Sequence, residues 1–279
     1  MGPRRLITDG EAALSACLAA FARTPRAGAL LCDIDGTISP IAPRPADAAV
    51  PARTAALLAA LTDRLGLVAV LTGRALEDGR RMIPLDGAVY VGTHGLELRD
   101  RDGRVTSDPR AEPYVAAVRE MAATAARDLD CAALGIVLED KRTVLAVHYR
   151  TATDAEAARH AILTTIVAPA RARGLAVSTG HFAFEIKPPL AVSKGLAARR
   201  LLDDGPFLTA LFCGDDLTDV TGFRAIHEWA GGDARRTACA LAAVTGETPP
   251  PVLDEADVRV AATPGVHEAL TRLLAAVGG

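Results

Sequence analysis

LLCDIDGTISP, residues 30–40, leads an apolar run directly into two acidic residues, Asp33 and Asp35. Neighbouring carboxylates repel each other and resist burial, so such a pair needs a physical reason. The two-residue spacing turns both side chains toward one side of an extended chain, and Gly36 permits a sharp turn after them. In α/β sheets, ligands bind outside the carboxyl ends of the strands. We therefore expect a binding site at the end of this strand.

A second acidic turn, GDDLTD at residues 214–219, follows another apolar run, FLTALFCG. Several carboxylates at one sheet edge are unstable without a cation, and hard oxygen ligands with room for water and phosphate favour Mg²⁺. A calcium-binding EF-hand loop that starts at Asp33 is excluded, because its sixth and twelfth positions are Ile38 and Arg44 instead of Gly and Glu. Either acid of the first pair could alone be a turn residue, but the two acidic turns together favour a metal site.

This pattern suits phosphoryl transfer. An Asp beside Mg²⁺ can attack phosphorus, and a second acid can protonate the leaving alcohol and then activate water. Cations and hydroxyl groups must also hold the phosphoryl oxygens. Thr72, at the end of the second strand in VLTGR, and Lys194, which opens a helix in VSKG, are placed for this task. Thr72 alone is weak evidence of a phosphate site, because a Ser-Gly or Thr-Gly pair often forms an ordinary turn after a strand.

The order of apolar runs predicts an α/β protein with an insertion. Strands at GALLCDI, LGLVAVLTGR and GAVYVGTHG alternate with helices, which is typical of a parallel sheet. A doubled helix–strand–strand pattern then predicts an α+β unit, after which the first pattern resumes. We expect the core at residues 1–107 and 189–279, and the inserted domain at 108–188. Residues 231–259 predict a strand and a surface loop.

The composition argues against several classes of protein. The chain has 279 residues, half of them apolar, and a formal net charge of −3. This charge gives no electrostatic footprint for nucleic acid or an anionic membrane, and neither a signal peptide nor a membrane anchor is expected. The five scattered cysteines form no CxxC pair and predict reduced, mostly buried thiols. We expect a cytoplasmic monomer that acts on a small molecule.

The motifs DIDGT, LTGR, SKG and GDD occur in the order found in the haloacid dehalogenase superfamily of phosphohydrolases, which the chain resembles. Longer strings narrow this resemblance to the trehalose-6-phosphate phosphatases. They are DIDGTISPI (33–41), GTHGLELR (92–99), EDKRTVLAVHYR (139–150), FEIKPPLAVSKGLA (184–197), GDDLTD (214–219) and TPGVHEALTRLL (263–274). The similarity runs from Leu30 to the C-terminal helix.

The resemblance implies a Rossmann-like parallel sheet core of the haloacid dehalogenase type with an inserted α+β cap domain. It implies that Asp33 is the nucleophile, Asp35 the general acid/base, and Thr72 and Lys194 the phosphate-binding residues. Mg²⁺ would be held by the Asp33 carboxylate, the Asp35 backbone carbonyl and Asp215, with Asp219, alone or together with Asp216, in support. The residues that it assigns to substrate binding are Glu139, Lys141, Arg150 and Glu185 in the cap, and Gly36, Thr37, Arg74 and His94 in the core.

Strand alternation in the insert agrees with a sugar site. In FAFEIK, the apolar positions are Phe182, Phe184 and Ile186, and the opposite face has His181, Ala183, Glu185 and Lys187. In TVLAVHYR, the two faces are Leu145, Val147 and Tyr149 against Ala146, His148 and Arg150. A polar face suits an uncharged disaccharide bound by directional hydrogen bonds, although a solvated outer sheet face is a common alternative. For His94, contact with substrate and capping of a turn stay equally open.

One segment departs from the family pattern. The family usually continues its last motif as GDDxTDEDAF, whereas this chain has GDDLTDVTGF, with Val220, Thr221 and Gly222 in place of two acids and an alanine. The lost charge could weaken Mg²⁺ binding or alter cap contacts. The expected function is Mg²⁺-dependent hydrolysis of trehalose 6-phosphate. A related phosphatase for sucrose phosphate or mannosyl-glycerate phosphate, and a catalytically silent sugar-phosphate sensor, stay open as alternatives.

Overall fold

The computed structural model describes residues 6–180 and 182–278. The strands are β1 Ile7–Asp9, β2 Gly28–Cys32, β3 Leu67–Leu71, β4 Val89–Gly92, β5 Glu97–Arg99, β6 Val105–Ser107, β7 Val137–Asp140, β8 Leu145–His148, β9 Ala176–Gly180, β10 Ala183–Lys187, β11 Thr209–Gly214, β12 Thr237–Val244 and β13 Val258–Ala261. The α-helices are α1 Glu11–Arg23, α2 Ala52–Thr62, α3 Leu76–Met82, α4 Val115–Asp128, α5 Cys131–Leu134, α6 Ala155–Ile162, α7 Ala168–Ala172, α8 Lys194–Asp203, α9 Leu217–Gly231, α10 Pro250–Glu255 and α11 Ala262–Val277.

Contacts between Cα atoms divide the chain into two compact units. The core unit extends to Ile41 and also contains Ala48–Thr106 and the chain from Val192 onward. The inserted unit contains Ala42–Asp47 and Ser107–Ala191. Each unit has a sheet of its own, and no helix in the described ranges combines the length and apolar character of a membrane span.

The sheet of the core unit has the order β1-β13-β12-β11-β2-β3-β4-β5-β6. The central strands β13, β12, β11, β2, β3 and β4 are parallel, whereas β5 pairs with β4 and β1 pairs with β13 in antiparallel fashion. The β2 and β11 strands are direct neighbours, although more than half of the chain separates them in sequence. The predicted α/β class with a parallel sheet is confirmed.

The apolar composition of β2 explains why it lies at the centre of the core unit. Every residue of GALLC is buried, as expected of a parallel strand with both faces covered. Leu30 and Cys32 pack into one apolar cluster with residues of α1, α2 and α11, while Ala29 and Leu31 pack into another with residues of α8 and α9. The carboxyl end of β2 is thereby fixed between two layers of helices.

The inserted unit has an antiparallel sheet of order β7-β8-β10-β9. Phe184 and Ile186 are buried with Leu145 and Val147 against residues of α4 and α6, as the alternation predicts. The prediction for Phe182 is wrong: it lies in the turn before β10 with φ of 52°, outside the strand alternation, and is 43% exposed. His181 lies outside the described residues.

The segment 231–259 contains more regular structure than the sequence predicts. It forms β12, α10 and β13 in addition to loops. The alanine-rich β12, TACALAAV, is largely buried and therefore lacks the polar–apolar alternation that marks a half-exposed strand. The proline run conceals α10, because proline is readily accepted in the first turn of a helix. The cysteine prediction is confirmed: all five thiols are free, and all except Cys131 are buried.

Candidate active site

Carboxylates from two neighbouring strands converge at the carboxyl edge of the core sheet. Asp33 follows β2, Asp215 follows β11, and the two strands are held in register by a hydrogen bond from the Asp33 N–H to the Cys213 carbonyl, 2.9 Å long. One carboxylate oxygen from each of Asp33, Asp215 and Asp219 lies within 4.8 Å of the others. All three side chains belong to buried residues. The structure therefore brings together carboxylates that are far apart in sequence.

Lys194 binds two of these carboxylates. Its ammonium lies 2.7 Å from Asp33 Oδ1 and 2.8 Å from Asp219 Oδ1, at a position that is 2% exposed. Burial by itself lowers the pKa of Lys194, but the carboxylates of Asp219 and Asp33 outweigh it and raise this pKa well above its ordinary value. Lys194 is therefore a fixed positive charge beside Asp33.

Burial is also the largest cause of the shifted pKa values of Asp33 and Asp215. It raises the pKa of Asp33 well above its ordinary value, the neighbouring acids raise it further, and Lys194 opposes the shift. Burial and the charges of Asp33 and Asp219 likewise raise the pKa of Asp215. A divalent cation would favour the ionised form of both carboxylates, and their oxygens are the hard ligands that Mg²⁺ prefers. The chemistry of these donors therefore fits Mg²⁺.

Asp219 differs from the other two acids in its hydrogen bonds. Its Oδ1 accepts from Lys194, while its Oδ2 accepts the backbone N–H groups of Asp215 at 3.0 Å and Asp216 at 3.2 Å. Asp216 is the N-cap of α9, and its side chain accepts from the Thr218 N–H at 2.6 Å. Since both oxygens of Asp219 already face N–H donors, the residue is best placed to hold the acidic turn and Lys194.

The carboxylate of Asp35 pairs with Arg74. Arg74 Nε lies 2.6 Å from Asp35 Oδ2, and Arg74 Nη2 lies 2.7 Å from Asp35 Oδ1, so both carboxylate oxygens are engaged. Asp35 is not one of the three acids whose carboxylate oxygens lie within 4.8 Å of one another, although its charge contributes to the raised pKa of Asp33. This two-point pair joins the turn after β2 to the turn after β3.

Gly36 and Thr37 fix Asp215. The Thr37 hydroxyl donates to Asp215 Oδ1 at 3.0 Å. Gly36 has φ of 84°, and a Cβ at this position would collide with the Asp215 carboxylate. Both residues are therefore close to the carboxylate cluster, and both act on Asp215.

Thr72 and His94 lie in adjacent turns after β3 and β4. Thr72 is 2% exposed, and its hydroxyl oxygen accepts the Arg74 N–H at 3.1 Å. His94 has φ of 56° and follows Thr93 with φ of 46°, a strained arrangement for two non-glycine residues. The His94 ring covers Gly73, where a Cβ would lie 2.6 Å from Cε1. The structure thus packs the GTHG turn onto the LTGR turn.

A separate polar cluster lies on one face of the sheet in the inserted unit. The β-sheet register places Glu139, Ala146 and Glu185 in one row across β7, β8 and β10. Lys141 Nζ lies 3.3 Å from Glu185 Oε1 and 3.7 Å from Glu139 Oε2. Lys141 is buried, and the two acids are half-buried. The structure therefore brings these three predicted residues together.

Arg150 and His148 have different surroundings. The Arg150 guanidinium lies 5.4 Å from the centre of the Phe182 ring, a cation–π contact at the end of the sheet. His148 Nε2 lies 3.0 Å from Glu139 Oε2, so it orients one acid of the polar cluster. The candidate site residues chosen from the sequence do not include His148. The signal in the sequence that could have identified His148 is its alternation with the apolar residues of β8, which places it on the polar face of the strand.

Comparison with known proteins decides the family. Residues 31–246 match the trehalose-phosphatase family. The chain belongs to this family. It is 35% identical over 205 residues to the trehalose-phosphate phosphatase of Mycobacterium marinum, an alignment that covers 71% of this chain and 51% of that protein. The chain spans between 16% and 51% of the length of the first four curated relatives it matches.

Solved structures agree with the trehalose-phosphatase assignment at the level of the fold. The C-terminal domain of trehalose-6-phosphate phosphatase from C. albicans superposes with a TM-score of 0.74 at 20% identity, covering 98% of this chain and 99% of that one. A haloacid dehalogenase-like hydrolase from Bacteroides thetaiotaomicron gives a TM-score of 0.59 at 15% identity, covering 88% and 98% of the two chains. The fold of this trehalose-phosphatase family member is therefore of the haloacid dehalogenase type.

Proposed function

We propose that this chain hydrolyses trehalose 6-phosphate to trehalose and inorganic phosphate. The observation that carries the proposal is the buried cluster of Asp33, Asp215 and Asp219 with Lys194 across it. Carboxylates and a lysine so arranged suit the attack of an acid on a phosphate ester and the binding of its oxygens. Membership of the trehalose-phosphatase family supports the choice of substrate.

In this proposal, the Asp33 and Asp215 carboxylates and the Asp35 backbone carbonyl hold Mg²⁺. When bound, Mg²⁺ supplies positive charge that offsets the carboxylates and the phosphoryl oxygens. Thr37 and Gly36 keep Asp215 in place, and Asp219 fixes the turn that carries it.

The chemistry takes place in two steps. In the first, an Asp33 oxygen bonds to phosphorus, the bond between phosphorus and the sugar oxygen breaks, and Asp35 gives its proton to that oxygen. In the second, the Asp35 carboxylate takes a proton from water, the water oxygen bonds to phosphorus, and the bond to Asp33 breaks. Lys194 and the Thr72 hydroxyl hold the phosphoryl oxygens through both steps.

Arg74 has a defined part in this scheme. Because it engages both oxygens of Asp35, the pair must open before Asp35 can reach the sugar oxygen. Arg74→Lys keeps the positive charge and removes the two-point contact. The one-point contact of lysine holds Asp35 less firmly for the hydrolysis of the aspartyl-phosphate, a step that both substrates share. We therefore expect this variant to lower kcat with trehalose 6-phosphate and with a small aryl phosphate alike.

We propose that the inserted unit is the cap that recognises the sugar. Lys141, Glu139 and Glu185 would bind hydroxyl groups of the uncharged disaccharide through directional hydrogen bonds, with His148 orienting Glu139. Arg150 and His94 are proposed as further substrate contacts. We also propose that the protein is a monomer and that it is cytoplasmic. The free, mostly buried thiols support the second of these proposals.

A phosphate-release assay tests the function. The substrates are trehalose 6-phosphate, sucrose 6-phosphate, a mannosyl-glycerate phosphate and a small aryl phosphate, each with Mg²⁺ and with EDTA. We expect the fastest release from trehalose 6-phosphate, abolished by EDTA and by Asp33→Asn. A faster reaction with another sugar phosphate would support a sister phosphatase, and ligand binding without release under either condition would support a sensor.

A further inference from the structure

The segment that departs from the family pattern, Val220-Thr221-Gly222, lies in the second turn of α9 against α8. A Cβ at Gly195 of α8 would collide with the Thr221 carbonyl, and a Cβ at Gly222 would collide with the Phe212 ring of β11. The two glycines therefore let α9 approach both α8 and the sheet closely. The family alanine at position 222 would not fit against Phe212 without a shift, so the departure is part of how this chain packs.

The hydroxyl of Thr221 connects the two helices. It lies 2.8 Å from the Thr218 carbonyl, to which it donates, and 3.0 Å from the Gly195 backbone N–H. A hydroxyl has one proton, and the carbonyl of Thr218 can only accept it. The Thr221 oxygen is therefore oriented to accept from Gly195.

The Gly195 N–H is one of the donors at the start of α8 that have no partner within the helix. The N-cap side chain of Ser193 accepts the next donor, the Leu196 N–H, at 3.1 Å. One donor of this first turn is thus bound by its own helix and another by α9. The same turn begins with Lys194, whose ammonium contacts Asp33 and Asp219.

We propose that Thr221 is a positioning residue for Lys194: its hydroxyl oxygen holds the Gly195 N–H, which fixes the first turn of α8 against α9. At position 221 the family pattern has an acid, whose carboxylate can also accept a hydrogen bond. Threonine supplies the acceptor without adding another negative charge near the carboxylate cluster. The catalytic contribution expected of Lys194 therefore does not require an acid at position 221.

Thr221→Val tests the proposal, because valine keeps the branched shape and removes the hydroxyl. Thr221 is exposed, so the variant is expected to fold. Its kcat/KM should fall by about fivefold, the factor set by one hydrogen bond of ordinary strength, with trehalose 6-phosphate and the aryl phosphate alike. Thr221→Ser keeps the hydroxyl and should restore most of the activity.

Thr271→Val is the matched control. Thr271 is an exposed threonine of α11 whose hydroxyl donates to the His267 carbonyl at 2.8 Å, and this helix does not carry Lys194. The control should retain the wild-type kcat/KM. Wild-type kinetics for Thr221→Val, equal losses in Thr221→Ser and Thr221→Val, or an equal loss in the control would each overturn the proposal.

The kinetic readout rests on the proposed function, whereas a second readout does not. Amide hydrogen exchange at Gly195, measured by NMR, should become about fivefold faster in Thr221→Val and stay unchanged in Thr271→Val. If the wild-type protein releases no phosphate, the proposed function fails, and Gly195 exchange still decides the role of Thr221. Unchanged exchange at Gly195 in Thr221→Val would overturn the positioning role.

Discussion

The carboxylate cluster predicts opposite stability effects for two Asp→Asn substitutions in the metal-free protein. With carboxylate oxygens within 4.8 Å of each other, Asp33 is repelled by Asp215 and Asp219 by about 3.5 kcal/mol each at an effective dielectric constant of about 20. Its attraction to Lys194 at 2.7 Å is about 6 kcal/mol on the same scale. These contributions nearly cancel, and burial of the Asp33 charge remains unfavourable.

Asp33→Asn should therefore raise the free energy of unfolding by about 1 kcal/mol, since the amide oxygen can still accept from Lys194. Asp219→Asn should lower it by about 3 kcal/mol, because both carboxylate oxygens accept N–H donors and the amide nitrogen must face one of them. The raised pKa of Asp33 means that its destabilising effect grows as the pH rises from the ordinary value of 3.8 through the folded value.

Urea unfolding in EDTA, at about pH 5 and about pH 8, measures these differences. We expect Asp33→Asn to gain stability over the wild type as the pH rises, and Asp219→Asn to be less stable at both values. A loss of stability in Asp33→Asn equal to that in Asp219→Asn would refute the assignment of Asp33 as a strained acid and Asp219 as a structural one.

Further predictions concern three separate regions. The hydrogen bond with Asp257 raises the pKa of His227 above its ordinary 6.5. Stabilisation by this pair is therefore complete below pH 6.5 and is lost as the pH rises through the pKa of the folded state. The Tm difference between wild type and His227→Gln should shrink over the same pH range. Gly36→Ala should displace the Asp215 carboxylate and lower kcat about 100-fold or more, and it should also lower Tm, because alanine is strained at a φ of 84°. Wild-type kcat, measured well below the Tm of the variant, would contradict the close approach. Glu185→Ala should sharply lower kcat/KM for trehalose 6-phosphate and spare a small aryl phosphate, and equal losses on both would count against a sugar-binding role for the inserted unit.

The sequence predicts the core of the fold well because the central strands are buried on both faces. Uninterrupted apolar runs such as GALLC and LVAVL predict a parallel sheet, and the acids that follow β2 and β11 mark its carboxyl edge. Two other strands are harder to predict. The three-residue edge strand β1 depends on β13, which is far away in sequence, and the buried, alanine-rich β12 shows no local alternation.

The candidate site, like the fold, is only partly predictable from the sequence. The motifs predict which carboxylates gather, but not which side chains hold them. The ion pair of Asp35 with Arg74, the hydrogen bond from Thr37 to Asp215 and the contact of Thr221 with Gly195 each join segments that only the folded chain brings together. Their residue types are ordinary in turns and helices, so their spacing in sequence contains no signal of these contacts.

The most direct test of the account is the site of covalent phosphorylation during turnover. The enzyme is mixed with Mg²⁺ and excess trehalose 6-phosphate, quenched with acid within the first turnovers, digested and analysed by mass spectrometry. We predict one phosphoryl group on the peptide that contains Asp33, absent with EDTA and absent in Asp33→Asn. Rapid phosphate release with no phosphorylated peptide, or a phosphoryl group on another residue, would contradict the account.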